Sequence, residues 1–334
     1  MDENRKTESV YPLVMDPSFR SGEDTPWGGR ALRDRFGKDA PEGITGESLE
    51  VSALPGHESR VANGIYRGKS LQEVFERWGE RLTGKRERVF PLMLKLLDAE
   101  QCLSVQVHPD DRYAMEHEGK AGKSEAWYIL DAEPGARLVY GIRPGYGLDE
   151  LRELCRRGAA VEEALNTLPV KAGDVVYIPS GTVHAIGAGI LLYEIQQSSD
   201  VTYRFYDWDR KDEHGRGREL HLDKALDVTR PDIMPNLIRP RLLHADRHGK
   251  LERVLYSTYF AVDGYSSCVD MPLSTDRRRF GILTALEDGS MLVDGEFIPL
   301  KAGQTAMIPA EAVPIALMGP SFLYAYPQVR GKEL

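Results

Sequence analysis

The chain has 334 residues, of which 43 are Lys or Arg and 52 are Asp or Glu, so its formal net charge is −9 at pH 7. This balance excludes a general nucleic-acid binder, because such proteins hold phosphate backbones with a spread positive surface. No apolar run reaches the roughly 18–20 residues that span a bilayer, so no membrane partner is expected. Three cysteines without CxxC spacing, and an N-terminus without a signal-peptide apolar segment, favour a reducing cytoplasm and exclude a Cys₄ zinc site.

Short apolar runs bounded by Gly, Pro and Asp dominate the chain from about Glu47 onward. This pattern predicts many strands joined by turns, and therefore a mainly β fold class. At Glu133-Pro134-Gly135, Pro fixes φ and Gly accepts the positive φ of a chain reversal, so a hairpin is predicted there. The clearest predicted strands are 103–108, 126–130, 137–140, 175–179, 190–196 and 201–205.

Two segments have helical periodicity and are predicted to be insertions between strands. Residues 70–82 place their apolar side chains on one face, and Ser70 and Glu73 have the spacing of a capping box. Residues 148–168 repeat the helical pattern. Cys155 lies on the apolar side of this second segment, so we expect it to pack in the core and to have no chemical role.

Two stretches 130 residues apart are similar: KAGDVVYIP at 171–179 and KAGQTAMIP at 301–309. The similarity predicts two related β units. Beyond the repeat, His184 corresponds to Pro314 and Gly181 to Glu311, so the second unit is expected to keep the fold without a metal ligand. The stretches 209–217 and 230–240 are the predicted linkers, and they divide the chain into domains of residues 1–235 and 236–334.

Polar side chains alternate with valines in the segment LSVQVHPDD at 103–111. In a strand, residues two apart point to the same face, so Ser104, Gln106 and His108 would share one surface while the two valines pack on the other. The segment alone leaves two interpretations open. The polar face is either part of a site or the solvent-facing side of a strand.

Two further candidates lie in the segments 122–128 and 173–184. Glu125 opens an apolar strand, and His184 ends a window of the form G-x5-P-x-G-x2-H, which resembles the second motif of the cupin superfamily. Alone, each of these residues is more often a surface or core group. With Gln106 and His108 they supply two imidazoles, one carboxylate and one amide oxygen, a set that suits Zn²⁺ or another borderline divalent ion.

Taken together, these segments resemble the type I mannose-6-phosphate isomerases (phosphomannose isomerases), in particular their compact bacterial branch. The resemblance covers residues 10–230 strongly and the C-terminal third loosely. It implies a jelly-roll cupin β-barrel with inserted helices over residues 1–235, the catalytic metal-binding domain, and a second, degenerate cupin-like β domain over 236–334 without metal ligands. The matching segments are TPWGG at 25–29, GESLEVS at 46–52, FPLMLKLLDAEQCLSVQVHPDD at 90–111, GKSEAWYIL at 122–130, the 173–184 window and YEIQQSSDVTYRFYDW at 193–208.

The resemblance also implies a role for individual residues. One Zn²⁺ per chain would be held by Gln106, His108, Glu125 and His184. The catalytic residues lining the active site would be Lys123, Glu194, Asp200 and Arg204, and the substrate phosphate would be held by Lys95 and Ser104. In one departure from the family pattern, Gly122 stands where many members have His, which weakens any mechanism that assigns proton transfer to that position.

The family reaction interconverts mannose 6-phosphate and fructose 6-phosphate by moving a proton between C2 and C1 through a cis-enediol. It needs an acid, a base and positive charge near the enediolate oxygens, and zinc and Arg204 would supply this charge. Burial or a nearby cation is expected to lower the pKa of Lys123. The base stays open among Lys123, Glu194 and Asp200.

Two alternatives accompany this interpretation. A non-catalytic cupin that senses a sugar phosphate or a metal is the main alternative. A different metal-dependent cupin, such as another isomerase or an oxygenase, is the second, although an iron dioxygenase would usually need no Gln ligand. The expected partner is a small-molecule sugar phosphate. The sequence leaves monomer and homodimer both open.

Overall fold

The structure is a computed structural model that describes residues 9–328. Within this range the chain is mainly β, as predicted, and no helix is long and apolar enough to cross a membrane. The helices are α1 (Ala31–Asp34), α2 (Leu71–Trp78), α3 (Glu80–Thr83), α4 (Asp111–Glu118), α5 (Leu148–Arg156) and α6 (Leu222–Val228), with 3₁₀ turns at Gly22–Asp24, Gly64–Tyr66 and Gly158–Ala164.

Most strands are short, as expected for runs bounded by turn residues, whereas Phe260–Pro272 and Ile315–Pro327 have 13 residues each. The strands are β1 (Leu13–Asp16), β2 (Ser18–Ser21), β3 (Thr45–Val51), β4 (Arg60–Val61), β5 (Leu92–Ala99), β6 (Val105–Val107), β7 (Glu125–Ala132), β8 (Arg137–Ile142), β9 (Leu165–Pro169), β10 (Val175–Ile178), β11 (His184–Ile186), β12 (Ile190–Gln197), β13 (Tyr203–Tyr206), β14 (Leu237–Ile238), β15 (Arg241–Asp246), β16 (Gly249–Tyr256), β17 (Phe260–Pro272), β18 (Gly281–Ala285), β19 (Gly289–Val293), β20 (Glu296–Leu300), β21 (Thr305–Ile308) and β22 (Ile315–Pro327).

The chain forms two compact units. The central unit consists of Phe19–Ser48 and Lys95–Ile238, and the C-terminal unit consists of the described residues up to Ser18, Leu49–Leu94 and the described residues from Arg239 onward. The boundary after Ile238 lies within the predicted linker 230–240, while two earlier segments are grouped with the C-terminal third. The division into functional domains of residues 1–235 and 236–334 stays a prediction.

The central unit contains two sheets that share one core. The seven-stranded sheet has the order β14-β10-β7-β12-β5-β3-β2, and the five-stranded sheet has the order β13-β6-β11-β8-β9. Leu97 and Trp127 from the first sheet pack in the same buried cluster as Leu138 and Ile186 from the second. Because side chains of both sheets enter one core, the sheets face each other as in a jelly roll.

Helices cover the other face of the five-stranded sheet. Val105 and Val107 of β6 are fully buried in a second cluster, together with Leu151 and Leu154 of α5 and Leu226 of α6. Cys155 is partly buried and packs against this cluster, so its predicted core role is confirmed. The outward valines therefore anchor β6, and its other face is left for polar side chains.

Two of the predicted elements end earlier than expected. The helix predicted over 70–82 forms with its capping box of Ser70 and Glu73, but it is interrupted at Gly79, where φ is 53° and ψ is −122°. The helix predicted over 148–168 is wrong beyond Arg156. A 3₁₀ turn follows, and β9 then pairs with β8. Pairing with a neighbouring strand, which local periodicity does not report, overrides the helical pattern there.

The turn at Glu133-Pro134-Gly135 forms, but the predicted hairpin is wrong. Gly135 has a φ of 87°, and Ala136 N–H donates to Glu133 O at 3.0 Å. The strands that the turn joins, β7 and β8, belong to different sheets and pair with other strands. The turn therefore carries the chain from one layer of the jelly roll to the other.

The C-terminal unit is built on a ten-stranded sheet whose main path is β15-β16-β17-β22-β18-β21-β1-β4. Its β21 begins with the same turn as β10 in the central unit. Lys171 N–H donates to Asp174 Oδ2 at 2.9 Å, and Lys301 N–H donates to Gln304 Oε1 at 2.8 Å. The two sequence repeats therefore have the same local structure.

Candidate metal and substrate site

The polar face of β6 points into the central unit. Ser104 Oγ lies 3.3 Å from Gln106 Oε1, and Gln106 Nε2 lies 3.3 Å from His184 Nε2. The His108 ring is buried on the same side, with its centroid 4.7 Å from that of His184. The predicted shared face of residues 104, 106 and 108 is therefore confirmed, and the alternative of a solvent-facing strand is wrong.

Strand pairing brings His184 to this face, and Glu125 comes from the other sheet of the central unit. Glu125 opens β7 opposite Ile178, and His184 opens β11 opposite Gln106. Glu125 Oε2 lies 3.4 Å from His108 Nε2, and Glu125 Oε1 lies 3.4 Å from His184 Nε2. The ligand atoms of the two histidines and the glutamate all lie within 4.8 Å of one another. Three of the four predicted ligands thus form one buried cluster, which Gln106 borders.

Backbone carbonyls orient both imidazole rings. His108 Nδ1 lies 2.9 Å from Val201 O, and His184 Nδ1 lies 2.8 Å from Thr182 O. A carbonyl only accepts, so each Nδ1 carries the proton and donates it, and each Nε2, 3.4 Å from a Glu125 oxygen, keeps its lone pair. This is the support that metal-binding histidines commonly have.

The protonation states in the cluster suit a cation. Burial lowers the pKa of His108 to about 3, and Lys123 adds to this effect. Burial also lowers the pKa of His184, so both rings are neutral near pH 7. Burial acts to raise the pKa of Glu125, but it is outweighed, above all by the charge of Lys123, and that pKa is held well below its usual range. Neutral imidazoles and an ionised carboxylate are the forms that bind a metal.

Unsatisfied atoms show that the cluster fits a divalent metal. Both oxygens of Glu125 are buried and neither accepts a hydrogen bond from the described residues, although Lys123 Nζ lies 2.9 Å from Oε2. The Gln106 amide can be rotated by 180°, which exchanges its nitrogen and oxygen and turns the oxygen toward His184. Two imidazole nitrogens, a carboxylate and an amide oxygen therefore fit the expected zinc.

The predicted direction of the Lys123 pKa shift is wrong. Lys123 Nζ is buried 2.9 Å from Glu125 Oε2 and 3.1 Å from His108 Nε2. Burial acts to lower the pKa of this ammonium group, but Glu125 and then Glu194 outweigh it, so the pKa is raised. Lys123 is therefore a cation that can donate hydrogen bonds to negative charge, and a poor proton acceptor.

Gly122 leaves no room for a side chain at the position before this lysine. A Cβ atom there would lie 2.4 Å from the carbonyl carbon of Asp110 and 2.4 Å from the nitrogen of Asp111. Gly122 N–H also donates to Asp111 Oδ1 at 3.0 Å. The glycine is required by the close approach of two loop segments, and a histidine at this position would clash with the backbone.

Lys95 lies between two buried carboxylates. Its Nζ is 3.2 Å from Glu47 Oε2 and 3.6 Å from Glu194 Oε1. Trp127 Nε1 donates to Glu194 Oε2 at 2.8 Å, whereas Glu194 Oε1 is buried without a hydrogen-bond donor among the described residues. Burial, followed by the charge of Glu125, raises the pKa of Glu194. Glu194 is thus a carboxylate with a free oxygen and increased basicity.

Arg204 and Asp200 lie elsewhere in the site. Arg204 Nε donates to Ser104 Oγ at 3.2 Å, and its Nη1 donates to Glu219 O at 2.8 Å. Asp200 Oδ1 accepts from Lys120 Nζ at 2.7 Å. Burial acts to raise the pKa of Asp200, but this hydrogen bond outweighs it and the pKa is lowered. Asp200 is therefore a weak base in the cavity wall.

A cavity of about 240 Å³ lies beside the metal cluster and is bordered by Gln106 and Lys123, which contact the cluster. Its lining includes seven predicted residues: Lys95, Ser104, Gln106, Lys123, Glu194, Asp200 and Arg204. It also includes five polar residues that the sequence reasoning missed: Arg20, Asp24, Glu47, Thr202 and Arg218. Glu47 lies within the segment GESLEVS, and the match of this segment to the family could have identified Glu47 as a site residue. Arg218 directly follows the predicted linker 209–217, and no motif there indicated that it lines the pocket.

Comparisons with known proteins identify the family. A model of the catalytic domain of type I phosphomannose isomerases matches residues 20–134. Mannose-6-phosphate isomerase ManA of Bacillus subtilis is 40% identical over 311 residues, which cover 90% of this chain and 94% of that protein. The chain belongs to the mannose-6-phosphate isomerase family. The mannose-6-phosphate isomerase of Streptococcus mutans is 50% identical to this chain over 202 residues, which cover 60% of this chain and 63% of that protein.

Solved structures of the mannose-6-phosphate isomerase family confirm the expected fold. The mannose 6-phosphate isomerase of Bacillus subtilis superimposes with a TM-score of 0.86 at 35% identity, over 95% of this chain and 99% of that chain. A structure described as a putative mannosephosphate isomerase from Archaeoglobus fulgidus has the same fold, with a TM-score of 0.74 at 21% identity. The cupin architecture with inserted helices and a second, degenerate cupin-like unit is therefore established.

Proposed function

We propose that this member of the mannose-6-phosphate isomerase family is a zinc-dependent aldose–ketose isomerase that interconverts mannose 6-phosphate and fructose 6-phosphate through a cis-enediol. The observation that carries the proposal is the buried cluster of His108, Glu125 and His184. Lys123 and Gln106 contact this cluster and line the same cavity as Glu194. With Gln106, the cluster would hold one Zn²⁺, which when bound supplies positive charge to polarise sugar oxygens. Family membership supports the choice of substrate.

Glu194 is the group that we assign to the proton transfer between C2 and C1. A general base must be ionised and still basic, and burial raises the pKa of Glu194 toward that range. Its Oε2 is fixed by Trp127, while the buried Oε1, 3.6 Å from Lys95 Nζ, accepts no hydrogen bond from the described residues and can take the proton from one carbon and return it to the other. Lys123 is protonated and Asp200 is weakly basic, so both are poorer candidates.

We assign Lys123 and Arg204 to the stabilisation of negative charge on the substrate. The buried ammonium group of Lys123 can donate hydrogen bonds to the sugar oxygens on which charge develops. Arg204 contacts Ser104, one of the two residues expected to hold the substrate phosphate. Lys95, the other, shares its charge with Glu47 and Glu194. Its main role here is to balance these carboxylates.

The proposal is tested by a coupled assay that follows fructose 6-phosphate formation from mannose 6-phosphate, with free mannose in parallel. We expect activity that is lost on exhaustive chelation and restored by zinc. His184→Ala should lose both bound zinc and activity, because it removes one of two imidazole ligands. Full activity in metal-free protein would contradict the zinc role. No activity on either sugar, with zinc bound, would favour the alternative of a non-catalytic sensor.

A further inference from the structure

A buried aspartate near the pocket holds two arginines. Asp207 is 5% exposed, and it accepts from Arg218 Nε at 2.8 Å and from Arg218 Nη2 at 2.5 Å. Arg210 Nη1 donates to the same carboxylate at 3.3 Å. Two parallel hydrogen bonds fix the plane of a guanidinium group as well as its position. Asp207 therefore determines where Arg218 points.

Arg218 and Arg204 line the same cavity as Ser104. Arg218 uses Nε and Nη2 on Asp207, and Arg204 uses Nε on Ser104 and Nη1 on Glu219. Within residues 9–328, no acceptor contacts Arg218 Nη1 or Arg204 Nη2. A guanidinium group has five N–H donors, so each of the two arginines keeps donors for a ligand.

The arginines carry an excess of positive charge, which suits a phosphate ester. Arg204, Arg210 and Arg218 carry three positive charges, and the negative charges that act on Arg204 are those of Asp207 and Glu219. A phosphate monoester carries about −1.5 to −2 near pH 7. Lys95 offers no excess of positive charge, because oxygens of two carboxylates lie within 3.6 Å of its Nζ.

We propose that Arg218 binds the substrate phosphate together with Arg204, and that Asp207 is the positioning residue that holds Arg218 in place. This pair then determines the preference of the enzyme for a phosphorylated sugar over a neutral one. The inference rests on the proposed function, because it concerns how that substrate is recognised. Lys95 and Ser104 are the residues that the sequence analysis expects to hold the phosphate. The inference adds Arg218, which directly follows a predicted linker.

The test compares Arg218→Gln and Asp207→Asn with wild-type protein. Loss of a charge-assisted hydrogen bond should raise the KM for mannose 6-phosphate about 10- to 100-fold in Arg218→Gln. The change in kcat should be much smaller, since the phosphate is remote from C1 and C2. Asp207→Asn should give a smaller increase in KM. Calorimetric titration with inorganic phosphate should show weaker binding, and therefore a larger Kd, in both variants.

A matched control and a second substitution keep the test decisive. Arg216→Gln removes an arginine that is held by Asp212 on the surface, and it should leave KM, kcat and the phosphate Kd unchanged. Arg218→Lys keeps the charge but cannot form two parallel hydrogen bonds to Asp207, so its KM should lie between those of wild type and Arg218→Gln. It replaces Arg218→Gln if that variant does not fold.

The outcomes separate this inference from the proposed function. If wild type isomerises mannose 6-phosphate but the Arg218 variants keep KM and phosphate Kd within about twofold, the inference is overturned and the function stands. A fall in kcat alone also overturns it. If wild type shows no isomerase activity, the proposed function fails, and an unchanged phosphate Kd in Arg218→Gln would overturn phosphate binding by Arg218 independently.

Discussion

Gly281 occupies in β18 the same register position that Glu125 occupies in β7. Ile178 pairs with Glu125, and Ile308 pairs with Gly281. Ile178 and Ile308 are themselves equivalent in the sequence repeat, which has an offset of 130 residues. The carboxylate of the metal cluster in the central unit is thus a glycine in the C-terminal unit.

The equivalence extends to the neighbouring strand. Glu194 of β12 pairs with the second residue after Glu125, and Tyr324 of β22 pairs with the second residue after Gly281. A Cβ atom on Gly281 would lie 2.0 Å from Tyr324 Oη. The phenol ring therefore fills the space that a side chain at residue 281 would need. Both carboxylate positions have been replaced while the strands and their pairing are kept.

Gly281→Ala should destabilise the protein, because the added methyl group must displace a fully packed tyrosine. Tyr324 is 2% exposed, and overpacking of a dense core costs about 1–3 kcal/mol. The measurement is the free energy of unfolding in urea. Gly217→Ala is the control, since its Cβ would meet only Arg210 O at 3.7 Å, an ordinary contact. Equal stability of the two variants would contradict the packing argument.

The sequence allows the polar face of β6 to be predicted, because burial of the valines on one side fixes the direction of Gln106. It also allows the ligand set to be predicted, since Glu125 and His184 lie in recognisable segments. Arg218 could not be predicted in this way. It reaches the pocket through a contact with Asp207, and such a contact leaves no periodicity in the sequence.

Asp276 should contribute stability that depends on pH. Hydrogen bonds from Arg278 lower the pKa of Asp276 to about 2. The folded-state pKa lies below the unfolded value of about 3.9, so this contribution is present above pH 4 and is lost as the pH falls to about 2. For an exposed pair we expect at most about 1 kcal/mol.

The measurement for Asp276 compares wild type with Asp276→Asn in urea unfolding at pH 7 and at successively lower pH. The difference in unfolding free energy should shrink between pH 4 and pH 2. High salt at pH 7 should also reduce it, because salt screens surface ion pairs. A difference that is the same at every pH would show that the carboxylate charge has no part in it.

Cys155 should react slowly in the native protein. Burial raises the pKa of its thiol to about 12, and only the thiolate form is nucleophilic. At pH 8 we expect alkylation by iodoacetamide to be at least about 100-fold slower than in urea-unfolded protein. Mass spectrometry of labelled peptides over time gives both rates. Equal rates in the two states would mean that Cys155 is not protected by the core cluster it packs against.

Glu194→Gln should remove turnover and leave the metal cluster intact. The amide can still accept from Trp127 but cannot take a proton, and loss of a general base lowers kcat by about 10²- to 10⁴-fold. Bound zinc, measured by atomic emission, should equal that of wild type, since Glu194 is not among the four proposed ligands. Glu116→Gln, on the exposed side of α4, is the matched control and should keep full activity. Substantial turnover in Glu194→Gln would exclude Glu194 as the base and return that role to Lys123 or Asp200, whereas loss of zinc would place Glu194 in the metal site.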